Sequence, residues 1–299
     1  MKKRKKTSTE KHSKLFTVLG LLVFGTFAVC LIALMYWTVI STLKSTGDFR
    51  NNNLFGLPKE WAFGNYATAI EYFRVQIKSG LGLRWVTIGE MIYNTILYAG
   101  VGTLVCIICH YIVAYCCAKF DYRFSRIVYA VVLLVMIIPI VGSDASRLAL
   151  LREWGMYDNW WGFFFQRYHF QGMYFLIIYE TIRTVPKELS EAAQIDGASE
   201  FRIMNGIVLP MVIGMLGAAT LITFIGQWNE FQFAVMYMPT HPTLSYGLYM
   251  YNKSALTEVA RSVPLQLSGC MLLFLPILTL FCCFKDKIMG SLTLGGVKE

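Results

Sequence analysis

The chain has 299 residues and a formal net charge of +9, with 56% hydrophobic and only 15% charged residues and a mean hydropathy of +0.51. A water-soluble domain carries about 25% charged residues, so this surplus of apolar surface needs lipid to cover it, and a wholly soluble protein is excluded. Seven of the 27 basic residues open the chain in "MKKRKKTSTEKHSK" beside an oily run. That is the pattern of a cytoplasmic anchor next to anionic lipid, not of a nucleic-acid surface, so no nucleic-acid partner is expected.

An apolar helix needs about 20 residues to cross a bilayer. Oily runs at 15–43, 88–118, 127–141, 160–182, 210–238 and 263–284 predict an all-α integral membrane protein with six transmembrane helices. The third run is short and ends near Pro139. The first is read as a retained span, because its apolar core is about twice the 7–15 residues of a signal peptide's and no small-residue cleavage site closes it. The organisation expected is a basic N-terminus over 1–14, a first helix over 15–43 and an outer loop over 44–87. A core transmembrane domain follows over 88–285, with a loop at 184–209, and then a tail over 286–299.

Six spans put both ends on one side. Placing the ends in the cytoplasm assigns 16 of the 27 Lys and Arg to inner segments and leaves 11 for the longer outer ones. This bias predicts a multi-pass protein of the cell membrane with both termini cytoplasmic and the loop 184–209 on the cytoplasmic side, between spans four and five. All eight cysteines fall within oily segments, where free cysteine behaves as a small hydrophobe, so no disulfide framework is expected.

The loop itself, "TVPKELSEAAQIDGASEFRIMNGIVLP", is punctuated like a pair of helices. Pro186 suits a first helical turn, Glu188 complements the positive end, and Ala192 and Ala193 offer a surface that a partner can approach closely. Gly197 is the natural left-handed terminator, and Ser199 can cap a second helix running to Pro210 at the mouth of span five. An ordinary amphipathic loop between spans would explain the same composition.

The spacing of Glu191-Ala192-Ala193, Gly197 and Ile207-Val208-Leu209-Pro210 resembles the EAA motif of permease subunits in ATP-binding cassette importers. "DGAS" (Asp196 to Ser199), "FIGQWNEF", "LPKEWAFGNYATAI", "YNTILYAG" and the ending "GSLTLGGVKE" resemble the carbohydrate-uptake branch, in particular the smaller six-span subunit of the maltose-transporter type. The likeness implies that Glu191, Ala192, Ala193, Asp196 and Gly197 belong to a coupling helix that docks on a cytoplasmic ATP-binding subunit. It also implies a second permease subunit as heterodimer partner, an extracytoplasmic solute-binding protein and a sugar substrate, all in contact with membrane lipid. The loop 240–262 is implied to reach toward that binding protein. The sequence holds no Gly-x4-Gly-Lys-Ser/Thr loop, so ATP hydrolysis is expected from a separate subunit and this chain is not expected to be an enzyme.

Three further clusters have two readings each. "CIICH" (Cys106 to His110) has the spacing of covalent haem attachment, yet it lies inside a span, where His110 is better read as bundle hydrogen bonding or the lining of a wet path, and no cofactor is expected. "QRYHFQ" places Arg167 and His169 within span four, which fits either a water-filled cavity or packing against loops. "QWNEF" places Gln227, Asn229 and Glu230 beside aromatics, fitting either a sugar path or helix–helix glue, with Asn229 the first choice for the path. As functions, a sugar importer's permease stands beside a permease for a non-sugar solute, a stand-alone secondary transporter and a membrane redox enzyme. The absence of a convincing internal repeat argues against the secondary transporter.

Overall fold

In the computed structural model the described residues are 8–51, 53–80, 82–120, 122–138, 142–170, 172–253 and 262–294. Residues 1–7 of the basic N-terminal segment and the last five residues of "GSLTLGGVKE" lie outside them. The described residues fall into two compact units, one from the first 72 residues together with Asn252–Met271, the other from Phe73–Tyr251 with the remainder of the last helix.

In the first unit, α1 (Ser8–Thr42) contains an apolar stretch Phe16–Thr42 of 27 residues, about 40 Å long at 1.5 Å per residue. Its last carbonyls have no partner within the helix. The Asn65 amide donates to the carbonyls of Thr42 (2.7 Å) and Lys44 (2.8 Å), which closes the end. The fully buried Lys44 donates to the carbonyls of Asn53 (2.6 Å) and Leu54 (3.1 Å). The Asp48 carboxylate, in the short α2 (Thr46–Arg50), accepts from the Lys59 backbone N–H and the Asn53 amide, each at 2.9 Å. Those bonds hold its carboxyl below the usual carboxylate range. The motif "LPKEWAFGNYATAI", which ends in α3 (Gly64–Tyr72), is thus a clamp on the end of the first span.

The second unit opens with a hairpin that departs from the all-helical expectation. Strands β1 (Val75–Ser79) and β2 (Gly82–Val86) pair antiparallel, with Val75 opposite Val86. Val75 and Ile77 are buried while Gln76 and Lys78 face out, the alternation of a half-buried strand. Next comes α4 (Ile88–Lys119), 32 residues long with one π turn at Ile96–Val101. The motif "YNTILYAG" works here by hydrogen bonding, as Asn94 donates to the Pro242 carbonyl (3.0 Å) and the Thr95 hydroxyl accepts from the Leu244 N–H (2.8 Å).

The remaining elements of the described residues are helices: α5 (Arg123–Ile137), α6 (Ser143–Glu153), α7 (Trp160–Arg167), α8 (Met173–Arg183), α9 (Lys187–Ile195), α10 (Glu200–Asn229), α11 (Gln232–Tyr237), α12 (Leu244–Lys253) and α13 (Val263–Leu294). Among the described residues, α1, α4, α10 and α13 are long and apolar enough to cross a membrane.

The structure corrects several expected boundaries. The third run, expected at 127–141, is helical from Arg123 to Ile137, so it begins four residues earlier and is as short as expected. The fourth is broken into α7 and α8, because Gly172 sits at φ 133°, a conformation that favours glycine. The fifth ends at Asn229, where Glu230 turns extended at ψ 110°. Within the expected loop 240–262, Leu244–Lys253 is a helix, and the last helix runs on to Leu294 through much of the expected tail. The core of this unit joins α4, α5, α8 and α10 through Tyr111, Val132, Phe175, Ile178, Ile203 and Val212.

Candidate functional site

The loop 184–209 folds into an elbow. Helix α9 ends at Ile195, and Gly197 takes φ 79°, so two backbone bonds can close the turn. Gly197 N–H reaches the Gln194 carbonyl (3.0 Å) and Ala198 N–H reaches back to the Ala193 carbonyl (2.9 Å). This is the left-handed C-terminal cap expected from the glycine. Ser199 then caps α10, its hydroxyl accepting from the Arg202 N–H at 3.4 Å.

The second helix does not stop at Pro210, as its sequence predicted. It continues from Glu200 to Asn229 as one rod of 30 residues. Proline has no N–H and crowds the preceding turn, and the turn before it, Met204–Val208, is widened to π geometry. The Tyr111 hydroxyl donates to the Met204 carbonyl there at 2.7 Å, which ties α4 to the widened turn.

One bridge in the elbow escaped the sequence reading. The Glu200 carboxylate accepts from the Gln194 amide (2.7 Å) and from the Tyr115 hydroxyl (3.2 Å). A single side chain therefore links α9, the start of α10 and the end of α4. Of the motif residues, Ala193 packs against the core, whereas Glu191, Ala192, Asp196 and Gly197 are exposed. No residue of α9 is buried, and Ile195 (87% exposed) and Phe201 (73%) present bare apolar surface beside it.

The residues singled out in "QWNEF" and "QRYHFQ" are placed differently from one another. Gln227 is buried, with its Oε1 only 2.5 Å from where a Cβ on Gly102 would stand, so glycine there lets α4 and α10 approach. Asn229 is exposed, and its amide donates to the Ile225 carbonyl (2.9 Å). Glu230 lies past the helix end and accepts from the Phe233 N–H (3.2 Å), in the manner of a cap for α11. Glu230 thus lies outside the helix that holds Gln227 and Asn229.

Arg167 donates to the Tyr98 hydroxyl (2.7 Å), and its guanidinium lies 4.6, 5.2 and 5.3 Å from the rings of Phe233, Phe163 and Tyr98. It joins α4, α7 and α11 through an aromatic cage. Cation–π contacts shielded from water stabilise by up to about 2 kcal/mol each. Arg167→Ala is therefore expected to lower stability by about 2 kcal/mol or more, read as an earlier thermal unfolding transition in detergent, with Arg167→Lys losing less.

Among the described residues, five buried polar atoms on neighbouring helices have no hydrogen-bond partner: Thr103 Oγ1, Gln166 Oε1, Arg167 Nε, Thr223 Oγ1 and Gln227 Oε1. They come from α4, α7 and α10, with α4 packed against both of the others. Buried polar groups are usually paired, so these atoms retain unused hydrogen-bonding capacity.

His169, at the break between α7 and α8, meets His110 edge to face at 5.7 Å. Cys106 and Cys109 are buried on the same helix, and His110 Nδ1 is 2.7 Å from the Cys106 carbonyl. The "CIICH" segment does not offer the exposed thiols that thioether attachment of a haem needs. Among the described residues no group of three or more His, Cys, Asp or Glu is placed to hold a metal ion.

The family described as "Binding-protein-dependent transport system inner membrane component" matches residues 107–288, well over half of the chain and the whole of the elbow. The chain belongs to this family. Within it, the chain is 26% identical over 276 residues to the diacetylchitobiose uptake system permease protein NgcG of Streptomyces coelicolor, covering 90% of this chain and 85% of that one. It is 25% identical over 291 residues to the melibiose/raffinose/stachyose import permease protein MelC of Bacillus subtilis, covering 96% and 98%. The fold is also that of a chain in the crystal structure of a bacterial ABC transporter involved in the import of the acidic polysaccharide alginate, with a TM-score of 0.74 at 17% identity over 95% of this chain and 99% of the other. The inner membrane component thus carries its elbow, its caged arginine and its unpaired polar cluster within the segment that defines the family, apart from Tyr98 and Thr103 just ahead of it.

Proposed function

We propose that this inner membrane component forms the translocation path for a sugar or oligosaccharide in an ATP-driven importer. A solute-binding protein outside delivers the substrate, and a second permease subunit and separate ATP-binding subunits complete the machine. Six crossings are formed by α1, α4, α5, the broken pair α7 and α8, α10 and α13, with both termini and the elbow on the cytoplasmic side. The sugar permeases among its relatives support the substrate class, and the excess of Lys and Arg on the inner segments supports the orientation.

The observation that carries the reading is the elbow. Glu191, Ala192 and Ala193 lie on a helix with no buried residue, Asp196 and Gly197 form the turn that ends it, and the bare side chains of Ile195 and Phe201 lie beside them. Covering one such side chain stabilises by roughly 1.5–3 kcal/mol, so this surface favours a partner. The one-piece α10 then carries any displacement of the elbow directly to Gln227 and Asn229. Co-expression with the ATP-binding and second permease subunits should yield a complex that survives purification. Recovery of this chain alone, with full transport activity, would sink the reading.

We further propose that Gln227, Asn229 and Arg167 line the path, with His169 at its edge and Glu230 setting the break between α10 and α11. The unpaired Gln227 Oε1 is what a sugar hydroxyl would meet. Removing a buried acceptor that has no partner costs little stability, whereas losing its bond to substrate costs about 1–3 kcal/mol. Gln227→Leu is therefore expected to unfold no earlier than wild type, yet to take up sugar about tenfold more weakly. Normal uptake by this variant would place the path elsewhere.

A further inference from the structure

A cavity of about 400 Å³ opens at the root of the elbow, where α4 ends, α5 begins, α8 ends and α9 begins. Among the described residues its lining contains Lys119, Arg126, Arg183 and Lys187 and no Asp or Glu. Arg183 shares its charge with Glu180 at 3.4 Å, on a side chain more than half exposed. Lys119 donates to the Val185 carbonyl at 3.2 Å, and among the described residues no ion pair involves Lys119 or Lys187. Tyr129 and Tyr179 complete the wall, their rings 4.7 Å apart. Like charges gathered in a concave space repel one another, and an anion that enters relieves the repulsion.

A second feature says where the anion comes from. Helix α5 leaves the cavity with Phe124 (63% exposed), Ile127 (58%), Val131 (49%) and Leu134 (56%) bare. Their spacing of three and four residues puts them on one face, an apolar track that starts beside the cations. A phosphate group with hydrocarbon attached matches both parts, because the cations take the oxygens and the track takes a chain.

We propose that this cavity binds a phosphate group, carried by the headgroup of an anionic phospholipid whose acyl chain lies along α5. Basic pockets between membrane helices are suited to such headgroups. Because Lys187 is the first residue of α9, a bound headgroup would fasten the start of the elbow to α4 and α5 and so couple its stiffness to membrane composition. That consequence rests on the docking role proposed for α9; the binding itself does not.

The test is native mass spectrometry of the delipidated intact complex, titrated separately with phosphatidylglycerol and phosphatidylcholine, with and without millimolar inorganic phosphate. Wild type should retain phosphatidylglycerol in preference to phosphatidylcholine. Lys119→Gln with Arg126→Gln should weaken that binding roughly thirtyfold, the effect of two cations near a membrane surface. The charge-preserving pair Lys119→Arg with Arg126→Lys should restore most of it. Displacement by inorganic phosphate would assign the site to a free phosphate, whereas lipid binding that phosphate does not compete away assigns it to the headgroup. Absence of any phosphatidylglycerol preference and of phosphate binding in wild type overturns the proposal outright and leaves the cations to an acidic protein surface. ATPase rates are not needed for any of these readouts, so failure of the docking role and failure of the site are separable.

Discussion

Replacing Gly197 by valine is expected to reduce recovery of the ATP-binding subunits with this chain, and sugar uptake with it, by roughly 30- to 150-fold. Gly197 sits at φ 79°, and a β-branched residue held there costs on the order of 2–3 kcal/mol. No atom lies within 4 Å of where its Cβ would stand, so the penalty comes from the backbone and not from a clash. The strained residue would relax by turning out of the left-handed region. That breaks the Ala198-to-Ala193 bond and swings α9 away from its angle to α10. Gly197→Asn is the control, since asparagine enters the left-handed region more readily, and it should retain most of the activity. Insertion into the membrane, measured by fractionation, should not change in either variant. A valine variant that recruits the ATPase and transports at the wild-type rate would mean that the turn angle carries no function.

Glu200→Ala is expected to cut uptake roughly thirtyfold while leaving ATP hydrolysis by the assembled complex within about twofold of wild type. Hydrogen bonds to a charged group contribute about 1.5–3 kcal/mol, and this carboxylate accepts two, from Gln194 and Tyr115. Without them α9 can still meet its partner but no longer moves with α10 and the end of α4. Tyr115→Phe removes only the longer bond, 3.2 Å, and should have a smaller effect. If Glu200 and Tyr115 act through one another, the double variant should be little worse than Glu200→Ala alone. Independent, additive losses in uptake would show that the bridge does not join the two helices functionally.

What could be read from the sequence was whatever depends on local chemistry. Gly197 announces a left-handed turn because few other residues adopt one, and Ser199 announces a cap because its hydroxyl is the right length. The interruption of span four by "QRYHFQ" was visible as polarity, and the chain does break there, at Gly172. Other features depend on residues far apart in the chain. Arg167 finds Tyr98 across 69 residues, and although Phe163 lies one helical turn before it, nothing local indicates that Tyr98 and Phe233 will complete the cage. Glu200 reaches Tyr115 across 85 residues in the same way. Pro210 misled for a different reason. Proline usually ends a helix, yet a π turn ahead of it absorbs the crowding and the rod continues. The end of α10 at Asn229 carries no glycine or proline signal; Glu230 makes the break by capping α11. The β1–β2 hairpin was legible in principle from the alternation of "VQIKS", a run too short to stand out among oily helices.

This chain is expected to carry sugar inward only as part of an ATP-driven assembly with its elbow on the motor side. The direct measurement is uptake of labelled oligosaccharide into proteoliposomes holding the full complex, with ATP sealed inside and the sugar-loaded binding protein outside. Uptake is predicted to need all three components and to fall away with Gly197→Val while the protein remains inserted. Uptake by this chain alone, driven by an ion gradient and indifferent to ATP and to Gly197, would contradict it.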